Sequence, residues 1–232
     1  MFSKDFTNVL QKLNGYSDKV ILKYPLTVLN SDASDVIALI NAQSLGCEEF
    51  PDSGIYELSK FNNMISLFEN AEVTREENLL KIKKLTESAV FTLCDLDLLS
   101  SHNLAPEYIT GLDNFPSVAE FEMKASDLQL IKKASTILNE LNALNIKGIS
   151  GNTEVSLGLH NRFNSSTNSF EKDYLGTSKE DFAIKLGIEN IQKLPVVDYE
   201  VRVKYNAEKD AYRVIFVNEN FTILIMRLSD SQ

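Results

Sequence analysis

The stretch PSVAEFEMKASDLQLIKKAS, Pro116–Ser135, decides the fold that the sequence predicts. From Ser126 onward, apolar residues recur with helical spacing, and this pattern predicts a helix over Ser126–Asn142. Ser126 followed three residues later by Gln129 fits a capping box, a typical signature of a helix N-terminus. The stretch therefore predicts that an amphipathic helix begins close to Ser126.

Comparable amphipathic helices are predicted at three other places in the chain. Each is followed, after a short break, by alternating segments rich in Val, Ile, Phe and Tyr, which is the pattern of strands. The helices begin roughly 60 residues apart, a spacing that favours one supersecondary unit used four times. The predicted helices are Ser3–Gly15, Glu57–Asn70, Ser126–Asn142 and Gly187–Leu194.

Residues 101–116 have neither helical nor strand periodicity, and we expect them to connect two similar domains. The predicted N-terminal domain is 1–100 and the C-terminal domain is 117–232. Each domain then holds two helices and several strands. Val197–Tyr205 and Ala211–Val217 are close enough in sequence to pair as a hairpin, so the predicted fold class is α+β with antiparallel sheets.

Composition excludes several classes of protein. With 232 residues, 44% of them hydrophobic, the chain can bury one large core or two smaller ones. The formal net charge of -10 argues against a protein whose whole surface is wrapped in nucleic acid. Met1–Asp5 carries charge where a signal peptide needs an apolar stretch, and apolar runs such as Ile223–Met226 are too short to span a bilayer. We expect a cytoplasmic protein with no membrane segment, in which Cys47 and Cys94 are reduced thiols.

The helix faces that turn away from the apolar stripes carry lysines. In the third helix, the predicted stripe contains Leu130, Ala134, Leu138 and Leu141, Lys132 lies opposite it, and Lys133 lies beside it. The four helical stretches together are slightly basic, whereas the rest of the chain is acidic. Lysines are common on solvated helix faces, so this bias indicates DNA binding only if the helices line one surface.

The sequence shows no pattern typical of a catalytic site. His102 and His160 belong to no metal-binding or catalytic motif, and the glycines near Gly148 and Gly176 lack the spacing of a phosphate-binding loop. Asp95 and Asp97 alternate with apolar residues, as a half-exposed strand would. We therefore expect no catalytic residue, no metal and no cofactor.

Several segments resemble, in order, those of sliding clamps of the T-even bacteriophage type, which are DNA polymerase processivity factors. The stretch at Pro116–Ser135 looks like the opening of the C-terminal domain in that family. The others are FSKDFTNVLQKL from Phe2, YELSKFNNMISLFENAEV from Tyr56, LNIKGISGNTEVSLGLHN from Leu144 and FAIKLGIENIQKLP from Phe182. Ser31–Pro51 and the connector carry little family-like sequence.

The resemblance implies a DNA-clamp fold: two similar domains, each with two helices on antiparallel sheets, assembling into a closed ring. In the family, twelve helices surround the hole, so four helices per chain imply a homotrimer. The ring encircles double-stranded DNA without sequence specificity and tethers the DNA polymerase, after loading by a separate ATP-dependent clamp loader. If the protein is viral, it acts in the host cell cytoplasm. The lysines expected to face DNA are Lys4, Lys12, Lys60, Lys132, Lys133 and Lys193.

The resemblance also implies two further surfaces. Clamp subunits join head to tail through edge strands, for which Ala89–Leu96 and Ser169–Leu175 are the candidates, with Phe91, Leu93, Phe170 and Tyr174 at the subunit interface. Partner peptides dock in an apolar pocket, for which the candidates are Leu104, Ile109, Leu112, Pro195, Val196, Leu224 and Met226. The alternatives are a non-catalytic acidic α+β interaction or scaffold protein that shares only the clamp fold and, more remotely, a hydrolase.

Overall fold

The computed structural model describes residues 2–31, 35–68, 71–102, 111, 114–152, 154–164, 168–208 and 210–228. The chain divides into two compact units, an N-terminal unit of residues 1–110 with 220–222 and a C-terminal unit of residues 111–219 with 223–232. Most of the predicted connector lies outside the described residues, so the domain limits drawn from the sequence stay a prediction.

The first half of the chain contains two helices, each followed by strands. The first group is α1 (Lys4–Leu13), β1 (Val20–Leu22), β2 (Leu26–Asn30), β3 (Val36–Asn41) and β4 (Ser53–Ile55). The second group is α2 (Leu58–Ile65), β5 (Glu72–Glu76), β6 (Leu79–Lys84) and β7 (Glu87–Thr92), with a 3₁₀ segment at Leu96–His102. The first four strands pair in the order β4-β1-β2-β3, and the other three form the sheet β5-β6-β7. All pairings within these sheets are antiparallel.

The second half begins with an additional strand, β8 (Ser117–Met123). It continues with α3 (Ala125–Ile137), β9 (Ala143–Gly148), β10 (Glu154–His160), β11 (Phe170–Ser178) and β12 (Phe182–Gly187). The last group is α4 (Ile188–Lys193), β13 (Tyr199–Asn206), β14 (Ala211–Val217) and β15 (Phe221–Met226). The strand order is β12-β9-β10-β11-β8-β13-β14-β15.

The two halves repeat one topology. Each contains a helix, four strands, a second helix and three strands, and the four-stranded part has the same order in both, β4-β1-β2-β3 and β12-β9-β10-β11. The second helix is also held in the same way. Leu58 N donates to Asp18 O at 2.8 Å at the start of α2, and Ile188 N donates to Asn142 O at 3.2 Å at the start of α4. The predicted α+β class, with antiparallel sheets and two helices in each half, is confirmed.

The N-terminal core is an aromatic cluster between the first two helices and the chain that follows β3. The predicted apolar stripe of α1 is confirmed, since Phe6, Val9, Leu10 and Leu13 are all buried. The Phe2 ring lies 5.7 Å from that of Phe6 and 5.8 Å from that of Phe61 of α2, measured between centroids. Such aromatic pairs contribute roughly 0.5–1.5 kcal/mol beyond the area they bury. These ring contacts fix which faces of α1 and α2 point outward.

The predicted stripe and cap of α3 are wrong. The buried residues of this helix are Leu128, Ile131 and Ser135, whereas Leu130 is 46% exposed. The sequence misled because two members of the predicted stripe, Leu138 and Leu141, lie beyond the end of the helix at Ile137.

The capping box failed for a related reason. The helix starts at Ala125, one residue before Ser126, and its N-cap residue Lys124 makes no side-chain capping bond. Ala125 N instead donates to Asp198 Oδ1 at 2.8 Å, from the segment just before β13. A side chain distant in sequence therefore caps α3.

Replacing Asp198 by Ala is expected to lower the melting temperature by a few degrees at neutral pH, because the first turn of α3 loses its acceptor. The hydrogen bond from Ala125, and then the Lys124 ammonium, hold the Asp198 pKa below its ordinary value. A lowered folded pKa means that the stabilisation is fully present above the unfolded pKa, about 3.9, and is lost as the pH falls through the folded pKa. Thermal unfolding of parent and variant at neutral and strongly acid pH should show this difference shrinking in acid. A difference that is constant with pH would contradict the role of the charge.

Candidate functional site

The outward faces of α1 and α2 present the predicted lysines of the N-terminal unit. Lys4 and Lys12 are exposed on α1, and Lys60 is exposed on α2. Lys60 makes an ion pair with Glu57, and this hydrogen bond, followed by the Glu57 charge, raises the Lys60 pKa. Lys60 therefore brings less net positive charge to its surface than Lys12 does.

The structure reverses the predicted positions of the two α3 lysines. Lys133 is exposed and lies opposite the buried stripe of Leu128, Ile131 and Ser135, whereas Lys132 lies beside that stripe and is half-buried. Lys132 Nζ donates to Gln192 O at 2.8 Å and also to Leu194 O. Burial lowers the Lys132 pKa. Of the two, Lys133 has the side chain that is open to a phosphate.

The segment after α4 has a fixed backbone and one exposed apolar side chain. Leu194 and Pro195 are buried, whereas Val196 is 46% exposed. Tyr199 Oη donates to Pro195 O at 2.8 Å, and burial raises the Tyr199 pKa well above its usual range. Because this phenol stays protonated, the bond to Pro195 O persists at all ordinary pH values. We call Leu194–Val197, which contains the predicted pocket residues Pro195 and Val196, the docking segment.

The other predicted pocket residues differ in their accessibility. Leu224 is fully buried in β15, so its side chain belongs to the core, and Met226 is partly exposed. The three residues from the connector, Leu104, Ile109 and Leu112, lie outside the described residues.

Strands β7 and β11 each offer an edge. In the described part of the chain, β7 pairs along its length only with β6. β11 pairs with β10 from Phe170 to Leu175, but with β8 only from Gly176 to Ser178. Among the strands that the structure describes, none pairs with the other side of β11 over Phe170–Leu175. Unpaired N–H and C=O groups along such an edge can accept a strand from another chain.

The four predicted interface side chains anchor these strands to their own unit. Leu93 and Tyr174 are buried, Phe170 is half-buried, and the Phe91 ring packs edge-on against Phe61 at 5.3 Å. The exposed apolar residues on the two strands are their sequence neighbours, Val90 at 54% exposure and Leu175 at 83%. The sequence pattern missed both. The alternation of a strand could have found them, because Val90 and Leu175 lie next to Phe91 and Tyr174 and must point the other way.

Among the residues that the structure describes, no group of three or more His, Cys, Asp or Glu side chains could hold a metal ion. Within the same residues, no helix is long and apolar enough to cross a membrane.

Comparison with known proteins accounts for the repeated topology. No family model matches the chain. Its sequence is 27% identical to the sliding clamp of Vibrio phage KVP40 over 162 residues, which cover 67% of this chain and 69% of that protein. The Proliferating Cellular Nuclear Antigen (PCNA) of Entamoeba histolytica superposes with a TM-score of 0.67 at 12% identity, over 97% of this chain and 95% of that one. This chain has the sliding-clamp fold.

A bacterial clamp has the same fold in a longer chain. The Helicobacter pylori β clamp, solved with a DNA ligase peptide, superposes with a TM-score of 0.64 at 15% identity over 98% of this chain. The match covers 65% of the β clamp, so this chain spans about two thirds of that protein's length. The resemblance to phage sliding clamps stated from the sequence is confirmed.

Proposed function

We propose that this chain is a sliding clamp that closes into a ring around duplex DNA, tethers the replicative DNA polymerase and is loaded by a separate ATP-dependent clamp loader. The observation that carries the proposal is the repeated helix-and-sheet topology, found in a chain whose sequence is similar to that of a phage sliding clamp. No catalytic role is proposed for any residue.

Three copies make the proposed ring. The part of the chain that the structure describes contains four α-helices, two in each half, and the clamp resemblance places twelve helices around the hole. The open edge of β7 on one copy would pair with the open edge of β11 on the next. Such a joint uses two different surfaces, so it is heterologous, and it closes into a ring when the rotation between copies is a whole fraction of a turn. Val90 and Leu175 would be buried there.

The electrostatics suit a ring that slides. Exposed Lys4, Lys12, Lys133 and Lys193 lie on the helices, whereas the chain as a whole carries a net charge of -10. Lysines that meet phosphates bind without reading base sequence, because phosphate contacts carry no base information. A ring is held by its topology, so a few weak contacts per subunit are sufficient and leave it free to move along the duplex.

The docking segment supports the tethering role. It places one exposed apolar side chain, Val196, on a backbone that Lys132 and Tyr199 hold in place. Short peptides bind such sites through one or two anchor side chains. We propose that the polymerase and the clamp loader present tail peptides to this segment.

Retention on circular DNA tests the proposed function directly. The labelled protein is loaded with a clamp loader and ATP onto bead-bound nicked circular duplex, washed in moderate salt, and the circle is then cut once. We expect the protein to stay on the circle and to leave within the dead time after cutting, since a ring slides off a free end. A protein that binds circular and linear DNA equally, or that is monomeric by light scattering, would contradict the ring and favour a scaffold protein.

A further inference from the structure

A reciprocal set of hydrogen bonds joins α3 to the end of α4. Lys132 Nζ donates to the carbonyl oxygens of Gln192 and Leu194. Gln192 Nε2 donates in return to Lys132 O at 3.1 Å and to the Ser135 hydroxyl. Ser135 is buried, and its hydroxyl donates to Lys132 O at 2.9 Å. The two helices are therefore linked by both side chains at the same place.

Both acceptors of Lys132 are carbonyls at the end of a helix. The last carbonyls of a helix have no partner within it and need a donor from elsewhere. The Leu194 carbonyl opens the docking segment, and the next carbonyl, that of Pro195, accepts from Tyr199. Val197 N also donates to Pro195 O, at 3.1 Å. Two side chains thus set the direction of two successive carbonyls immediately before the exposed Val196.

The same geometry argues against Lys132 as a phosphate contact. To reach a phosphate, the Lys132 ammonium would have to give up both hydrogen bonds, and the two carbonyls would lose this donor. Hydrogen bonds from a charged group are among the stronger ones in proteins. Lys133, the next residue, is exposed and meets no such cost. The two lysines are adjacent in sequence but have different environments.

We infer that Lys132 is a positioning residue that holds the docking segment in the shape that partner peptides recognise, an inference that rests on the proposed function. The peptide meets Val196, and Lys132 acts on it only through the Leu194 carbonyl. Removing the ammonium frees the segment to turn at Leu194. The peptide then has to order that segment when it binds, and its affinity falls.

The test compares Lys132→Met, Lys132→Arg and the matched control Lys133→Met. The probe is a synthetic peptide of the C-terminal residues of the DNA polymerase from the same replication system, and Val196→Asp is the reference for direct loss of the anchor. We expect Lys132→Met to weaken peptide binding about tenfold, Lys132→Arg to restore most of it, and Lys133→Met to leave it unchanged. A merely structural role would lower the melting temperature without moving the peptide affinity, and that outcome would overturn the inference.

Two further measurements separate the possible failures. The salt dependence of loading onto DNA should change in Lys133→Met and not in Lys132→Met, and the opposite result would assign Lys132 to phosphate. Hydrogen exchange at the Val197 amide needs no partner. This exchange should be faster in Lys132→Met than in the parent protein, whether or not the polymerase peptide binds. Failure of the peptide to bind the parent protein would itself overturn the proposed function. Unchanged exchange would overturn the inference. If Lys132→Met does not fold, Lys132→Gln, which keeps a neutral donor, takes its place.

Discussion

Replacing Lys12 and Lys133 by Glu in the same chain is expected to reduce loader-dependent loading onto circular DNA at least a hundredfold at moderate salt, while the proposed ring still forms. Both side chains are exposed on helices of different halves, so the change leaves the core intact. In a ring of three copies it removes six lysines and adds six glutamates. Each phosphate contact that is lost lowers the slope of log affinity against log salt by about 0.9. The repulsion of the new carboxylates adds to that loss.

A control with the same change in charge makes this result specific. Lys147 and Lys179 are also exposed, one on β9 and the other just after β11. The Lys147→Glu, Lys179→Glu variant should keep most of the loading and a nearly parental salt slope. Equal losses in both variants would show that net charge, and not the helix surface, governs loading onto DNA. Light scattering checks that both variants remain trimers.

Glutamate at Val90 or at Leu175 is expected to convert the proposed trimer to a monomer, and mixing the two variants is expected to give a dimer. The exposed side chains lie on β7 and β11, each of which has an open edge among the described residues. Burying an apolar side chain of this size contributes roughly 1.5–3 kcal/mol, and a buried unpaired carboxylate adds a further cost. Each joint should therefore weaken at least about thirtyfold.

The mixing experiment distinguishes the two possible kinds of joint. If β7 of one copy meets β11 of the next, a Val90→Glu chain still has a good β11 edge and a Leu175→Glu chain still has a good β7 edge. One sound joint can then form between them, and growth stops at two chains. If like strands paired instead, each variant would dimerise by itself. Ile149→Glu is the matched control, because Ile149 is 60% exposed in the turn between β9 and β10, and this variant should remain trimeric.

The sequence predicted the parts of the fold that depend on local pattern. The α1 stripe from Phe6 to Leu13 follows helical spacing without interruption, and the structure buries all four of its residues. In α3, apolar residues lie on several sides of the helix and continue past its end, so periodicity alone could not choose the face. The choice is made by contact with the rest of the unit, which buries Leu128 and Ile131.

The candidate sites were harder to predict because they depend on partners distant in sequence. Lys132 and Lys133 are the same residue type in the same helix, and what distinguishes them is the end of α4, where Lys132 reaches the carbonyls of Gln192 and Leu194. A strand pattern likewise shows that Phe91 and Tyr174 point to the opposite side of their strands from their sequence neighbours. It does not show which side of each strand faces the core. Which strands are edges is decided by the pairing of the whole sheet.

The capping of α3 by Asp198 has a consequence during synthesis on the ribosome. The acceptor for Ala125 lies 73 residues further along the chain, and the acceptor of Lys132 at Gln192 lies 60 residues further. When α3 has just emerged from the exit tunnel, this helix has neither its cap nor its link to α4. The first turn of the helix therefore frays until β13 emerges. A chain cut short before residue 198 keeps the α3 sequence without the groups that finish the helix, and it should be digested by protease within that first turn.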